Sequence, residues 1–148
     1  MPQSLARNAV HLVFSTKLRE PFLGPDVRPA VFAYLAGAFQ SIGCHAIAVG
    51  GVADHVHVLF LLARTVPLCK AVEEVKKESS KWAKGHVHPD FYWQAGYGAF
   101  AVSRSNEDRV VAYIEDQERH HTERSFQDEF RGLLRAHGVE WDEQYVWE

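Results

Sequence analysis

A chain of 148 residues, 47% hydrophobic and 24% charged, has the size and composition of one globular domain with a substantial core. No stretch reaches the length of a membrane span, and Asn8 and His11 interrupt any signal-peptide run at the start, so neither an anchored nor an exported protein is expected. The net charge of −3 argues against a generally polyanion-binding surface, but it is unevenly spread: residues 64–104 carry seven Lys and Arg against four Asp and Glu, while residues 105–148 carry five against twelve. A basic middle and an acidic end suggest a local surface for an anionic ligand. Cys44 and Cys69 lack a metal-binding or disulfide spacing and read as buried free thiols in a reducing cytoplasm.

Residues 8–16 are rich in β-branched and aromatic residues and predict a first strand. Lys17 to Pro25 reads as a loop, and Asp26 as the N-cap of a helix on which Val31, Tyr34, Leu35, Ala38, Phe39 and Ile42 recur at helical spacing before Gly43. Residues 44–50 form a second strand, and Gly50-Gly51 turns the chain into a third. That third strand, Asp54-His55-Val56-His57-Val58-Leu59-Phe60, is the most informative stretch. Alternation puts His55 and His57 on one face with Leu59 and Leu61, and Val56, Val58, Phe60 and Leu62 on the other.

Pro67 opens a helix running to about Lys84, with Gly85 as its stop. Residues 86–100 alternate aromatics with glycines, a pattern that serves either core packing or stacking of nucleotide bases. Residues 97–103 continue as a strand. Ser105-Asn106-Glu107-Asp108 predicts a capping-box start for a helix through Tyr113 and Gln117 to about Thr122. A last helix spans about Ser125 to His137, and the tail with Trp141, Tyr145 and Trp147 packs against the body. The order implies a single α+β domain over residues 1–148: a ferredoxin-like sandwich, a mainly antiparallel sheet with helices packed on one face.

Two imidazoles on one sheet face are costly to bury without partners, and they suit either a shared metal ion or a hydrogen-bonded core. A metal needs a third ligand; Gln117, His120, His121 and Asp54 compete for that place. Two histidines and an amide leave the charge of a dication unbalanced, which favours an anionic ligand such as phosphate. A tyrosine one helical turn from such a ligand is then placed to attack the polarised phosphorus.

These residues resemble the single-tyrosine HUH transposases of the insertion sequence 200/605 family, in which two histidines flank a hydrophobic residue. The resemblance is carried by Ala9-Val10-His11-Leu12-Val13-Phe14-Ser15-Thr16-Lys17, Asp54-His55-Val56-His57, Lys77-Glu78-Ser79-Ser80-Lys81-Trp82, Trp93-Gln94-Ala95-Gly96-Tyr97-Gly98-Ala99-Phe100 and Tyr113-Ile114-Glu115-Asp116-Gln117-Glu118-Arg119-His120-His121. The segment Ser125-Phe126-Gln127-Asp128-Glu129-Phe130 and the ending Tyr145-Val146-Trp147 resemble one branch of that family. The resemblance implies that His55, His57 and Gln117 hold Mg²⁺ or Mn²⁺ and that Tyr113 is the nucleophile. It implies cleavage of single-stranded DNA through a 5′-phosphotyrosine link, strand transfer without ATP, recognition of hairpins, and a homodimer. No organic cofactor and no membrane partner are expected.

Resemblance and composition together make Lys76, Lys77, Lys81, Lys84 and Arg104 candidates for DNA backbone contacts, with Trp82, Tyr92 and Trp93 as candidate stacking residues. Histidine ligands suit Mn²⁺ better than Mg²⁺. The acidic last third is expected to lie away from bound DNA or to cover a dimer face. Three rivals stand beside this reading: a domesticated relative that processes chromosomal repeat hairpins, a non-catalytic nucleic-acid-binding module, and a metal hydrolase using water.

Overall fold

The computed structural model describes residues 1–148. The chain runs β1 (Asn8–Ser15), α1 (Arg28–Ser41), β2 (His45–Val52), β3 (His55–Leu62), α2 (Leu68–His86), β4 (Gly98–Val102), α3 (Glu107–Glu115), α4 (Gln117–Glu123) and α5 (Phe126–Ala136). The strands form one antiparallel sheet in the order β2-β3-β1-β4. Two β-α-β units with this strand order make the ferredoxin-like arrangement.

Alternation along the two central strands divides the sheet into unlike faces. Leu12, Phe14, Val56, Val58 and Phe60 point to one side, where Val31, Leu35 and Phe39 of α1 and Ala71, Val72 and Val75 of α2 close over them. Val13 and Leu59 point to the other side, with His11, His55 and His57. That second face is covered too: Phe126, Phe130 and Leu134 of α5 pack on Val13 and Phe100, and Ile114 of α3 packs on Ala9 and Leu59. Helices therefore lie on both faces, not on one as expected. The polar character of the histidines suggests an open face, but the apolar residues beside them require burial, and the last three helices supply it.

Local chemistry corrects several boundaries. Asp26 caps nothing; α1 begins at Arg28 after a turn, with Pro29 in its first turn. The helix α2 passes through Gly85 to His86. Ser105 lies in a short 3₁₀ segment (Arg104–Asn106) and makes no capping bond, so α3 starts at Glu107. The expected helix to Thr122 is broken at Asp116 (φ −107°, ψ 25°), which separates α3 from α4. Ser125 does cap α5, its hydroxyl accepting from the Asp128 amide at 3.2 Å. Cys44 is buried, but Cys69 is exposed on the first turn of α2, where no element covers it.

The tail is docked. Trp141, Val146 and Trp147 pack against the α5 cluster, and the Gly96 amide donates to the Glu148 carbonyl at 2.9 Å. Gly50 on β2 sets the approach of α3, because a Cβ there would meet the Ile114 carbonyl oxygen at 2.2 Å.

Candidate active site

The site grows from β3. His55 and His57 are fully buried on the face roofed by α3, α4 and α5. Each is oriented from behind through Nδ1: His55 meets Asp54 Oδ1 at 2.7 Å, and His57 meets Nε2 of the buried His11, on β1, at 2.8 Å. Such outer contacts fix ring direction and leave Nε2 pointing inward.

The roof brings four side chains to those two nitrogens. Tyr113 comes from α3, Gln117 and His121 from α4, and Glu129 from α5. Glu129 Oε1 is the meeting point: His57 Nε2 lies 2.9 Å away, His121 Nε2 3.1 Å, and His55 Nε2 3.3 Å. The donor atoms of His55, His57, His121 and Glu129 all lie within 4.8 Å of one another. The approach of His55 Nε2 to Glu129 is too poorly aligned to count as a hydrogen bond, so this buried nitrogen has no partner. A buried, orphaned imidazole nitrogen aimed at a carboxylate and two further histidines fits a metal-binding cluster.

The other carboxylate oxygen, Glu129 Oε2, accepts a hydrogen bond from the Tyr113 hydroxyl. Arg124 Nη2 lies 3.4 Å from the same hydroxyl, and the His120 ring packs on the Tyr113 ring at 4.6 Å. Gln117 is buried; its amide nitrogen donates to the Tyr113 carbonyl at 3.2 Å, and its Oε1 lies 3.0 Å from His121 Nε2.

Electrostatics follow from this geometry. Burial opposes a charge on Glu129, but the His121, His55 and His57 rings gathered against it outweigh burial and hold the carboxyl far below its ordinary range. Burial pushes His57 down to about 4 against the pull of Glu129, and burial with the neighbouring His57 pushes His11 down to about 3. Burial likewise opposes protonation of His55, yet Asp54 and Glu129 raise it overall. Burial, and then the negative charge of Glu129, raise the Tyr113 hydroxyl well above its ordinary value.

Sequence reasoning thus named His55, His57, Gln117 and Tyr113, which the fold brings together, but missed Glu129 and Arg124. His121 stood only among alternatives. No local pattern marks Glu129, which reads as one of twelve acids in the last third. The folding of α5 onto the histidine face reveals it.

The DNA-contact candidates are scattered in circumstance. Lys77 is exposed beside Glu74; Lys81 and Arg104 are exposed. Lys76 instead donates to three backbone carbonyls, Gln94 at 2.6 Å, Gly96 at 2.9 Å and Ala95 at 3.2 Å, tying α2 to the loop before β4. Lys84 Nζ sits 3.8 Å from the centre of the Tyr92 ring, which is 53% exposed. Trp82 is stacked between Tyr34 and His86, and Trp93 is buried with its indole nitrogen on Ser79.

By fold and site the protein falls among small α+β proteins in which a polar sheet face is roofed by a tyrosine-bearing helix. The chain belongs to the family of IS200-like transposases, whose pattern matches residues 4–117. Membership makes it a transposase, a DNA-processing enzyme by family. Two solved structures share the fold. A protein from Deinococcus radiodurans R1 described as a transposase is 21% identical, covers 79% of this chain and 98% of its own, and superposes with a TM-score of 0.63. A REP-associated tyrosine transposase bound to a REP hairpin is 13% identical, covers 77% of this chain and 68% of its own, with a TM-score of 0.56. Among proteins of curated function, none matches this sequence. No helix is long and apolar enough to cross a membrane.

Proposed function

We propose that this protein cuts and rejoins single-stranded DNA with Tyr113 as the nucleophile. The observation that carries the reading is the single carboxylate of Glu129, on which three histidine nitrogens and the Tyr113 hydroxyl converge. In the forward step the Tyr113 oxygen bonds to phosphorus and the bond from phosphorus to the 3′ oxygen breaks. The product is a 5′-phosphotyrosine and a 3′-hydroxyl. The tyrosine proton leaves along the hydrogen bond to Glu129 Oε2, and Arg124 stabilises charge on the tyrosine oxygen. Attack by another 3′-hydroxyl on the same phosphorus reverses the exchange and joins strands without ATP.

His55 and His57, with Gln117 as the third ligand that the family resemblance implies, would hold Mn²⁺ or Mg²⁺. The ion's contribution is to neutralise charge on the non-bridging phosphate oxygens. Lowered basicity at His57 and His11 serves this arrangement, since a neutral imidazole is the metal-binding form.

The proposed substrate carries hairpins, as does the DNA in the REP-associated structure of the same fold. Exposed Lys77, Lys81 and Arg104 are the proposed backbone contacts, and Tyr92 with Lys84 offers a ring edge for a base. Lys76, Trp82 and Trp93 act on DNA only indirectly in this proposal, by shaping the loop and the α2 surface. A homodimer in the cytoplasm completes the proposal.

The test is a denaturing gel of protein with labelled single-stranded DNA from the gene's own flanks, with and without Mn²⁺. A metal-dependent adduct of protein plus DNA that Tyr113→Phe abolishes is the expected result. Cleavage without an adduct would establish water as the nucleophile. Chelator-insensitive hairpin binding with no cleavage would establish a non-catalytic module.

A further inference from the structure

Two imidazoles in this site, His55 and His121, have acceptors at both ring nitrogens, and that pattern identifies what belongs between them. His55 Nδ1 faces the Asp54 carboxylate at 2.7 Å, and His121 Nδ1 faces the Arg124 carbonyl at 3.0 Å; each acceptor calls for a hydrogen on Nδ1. His57 Nδ1 meets His11 Nε2 at 2.8 Å, a bond that either ring can donate. The Nε2 atoms of His55 and His121 are then lone pairs, and both face Glu129 Oε1, at 3.3 and 3.1 Å, beside His57 Nε2 at 2.9 Å. His121 Nε2 faces a second acceptor as well, Gln117 Oε1 at 3.0 Å.

Four acceptor atoms, Glu129 Oε1, Gln117 Oε1 and the Nε2 atoms of His55 and His121, are turned inward with His57 Nε2 as the one available donor, and they repel unless a cation lies among them. Protons alone would require His55 and His121 both to be imidazolium, with ring centroids 4.4 Å apart in a buried site. One divalent ion leaves every ring neutral, and its two charges match the carboxylates of Asp54 and Glu129.

We infer that the metal site of this protein is completed by His121 and Glu129, giving a ligand set of His55, His57, His121 and Glu129. This deepens the functional reading above and rests on its metal half. It departs from that reading in the third ligand, since the anionic place falls to Glu129 and not to the neutral amide of Gln117. Glu129 then spans two partners: Oε1 serves the ion and Oε2 holds the Tyr113 hydroxyl. The DNA-free protein thus keeps ion and nucleophile on one carboxylate, and an incoming phosphate competes with Glu129 for both.

Binding of Mn²⁺ alone, without DNA, tests this. Isothermal titration compares the wild type with Glu129→Gln, which keeps the side chain's shape, and with Gln117→Ala. Glu129→Gln is expected to weaken Mn²⁺ at least tenfold and Gln117→Ala less than threefold. Pulsed electron paramagnetic resonance of the Mn²⁺-loaded wild type, which needs no variant to fold, is expected to count three imidazole nitrogens. Two nitrogens, with affinity lost in Gln117→Ala and kept in Glu129→Gln, would overturn the assignment while leaving the transposase reading intact. A wild type that binds no Mn²⁺ would overturn both.

Discussion

The placement of Tyr113 depends on a glycine that makes no contact with it, and this dependence can be measured. A Cβ on Gly50 would lie 2.2 Å from the Ile114 carbonyl oxygen and 2.9 Å from Ile114 Cγ2, where even tight contacts of that kind fall at 3.0–3.4 Å. Gly50→Ala therefore forces β2 and α3 apart by about 1 Å, and the obstructing atom is backbone, which cannot swing aside. Ile114 precedes the break at Asp116 and follows Tyr113 directly, so the displacement carries the tyrosine with it. Overpacking of this kind costs about 1–3 kcal/mol of stability. An ångström of misplacement at a reacting group costs about a hundredfold in rate.

Urea unfolding and the rate of adduct formation read the two effects separately. Gly85→Ala is the control: it lies on α2 with nothing within 4 Å of the added carbon, and it should stabilise by about 0.5–1 kcal/mol with activity unchanged. If Gly50→Ala matched the wild type in both stability and adduct rate, the close packing of α3 on β2 would be refuted. So would the positioning of Tyr113 that follows from it.

Tyr113→Phe should abolish the covalent adduct while changing unfolding free energy by no more than about 1.5–3 kcal/mol, the worth of one hydrogen bond to a charged acceptor. A retained adduct would place the nucleophile elsewhere. Mn²⁺ at a hundred times its dissociation constant should raise stability by about 2.7 kcal/mol over the chelated protein, whereas Mg²⁺ at equal concentration should do far less, given the nitrogen-rich cluster. Equal stabilisation by the two ions would argue against imidazole ligands. Lys76→Met should cost about 1–3 kcal/mol in urea, because three carbonyls lose one charged donor; a neutral result would mean that the lysine is free for other partners. In chelator, His11 at about 3 and His57 at about 4 lie below the unfolded value of 6.5, so the unfolded chain binds more protons and stability falls as pH drops from 6.5. His55, whose folded value is raised, opposes this only near neutrality, so the slope near pH 5 should approach about 2–3 kcal/mol per pH unit; a flat profile would refute neutral burial of the two rings.

What the sequence disclosed was periodic or paired. The alternation through His55-Val56-His57-Val58 places both histidines on one face correctly, because a strand buried on two sides leaves little freedom of register. The two β-α-β units were legible for the same reason. The break at Asp116 was not, because the buried positions Ile114 and Gln117 keep helical spacing across it. The aromatic run before β4 also misled in part: Trp93 is spent on Ser79, and Lys76 on three carbonyls, so a composition that suits stacking and phosphate contact is partly consumed in building the loop. Contacts distant in sequence leave no periodic trace.

Glu129 shows that the acidic last third does more than bear on where DNA can lie. Summed charge says that residues 105–148 repel DNA, yet one of those acids is buried at the centre of the site, where sign matters locally. Two sheet histidines alone place a dication with no protein charge against it. A buried carboxylate alone is costly. Brought together by α5, each removes the other's cost, and the same oxygen pair reaches the tyrosine. The family match ends at residue 117 and contains His55, His57, Tyr113 and Gln117. His121 and Glu129 lie beyond it. The tyrosine and the paired histidines therefore belong to the shared frame, while the helix that closes over them supplies charge balance. Exchanging Glu129 should consequently retune metal affinity and loosen the hold on the Tyr113 hydroxyl together.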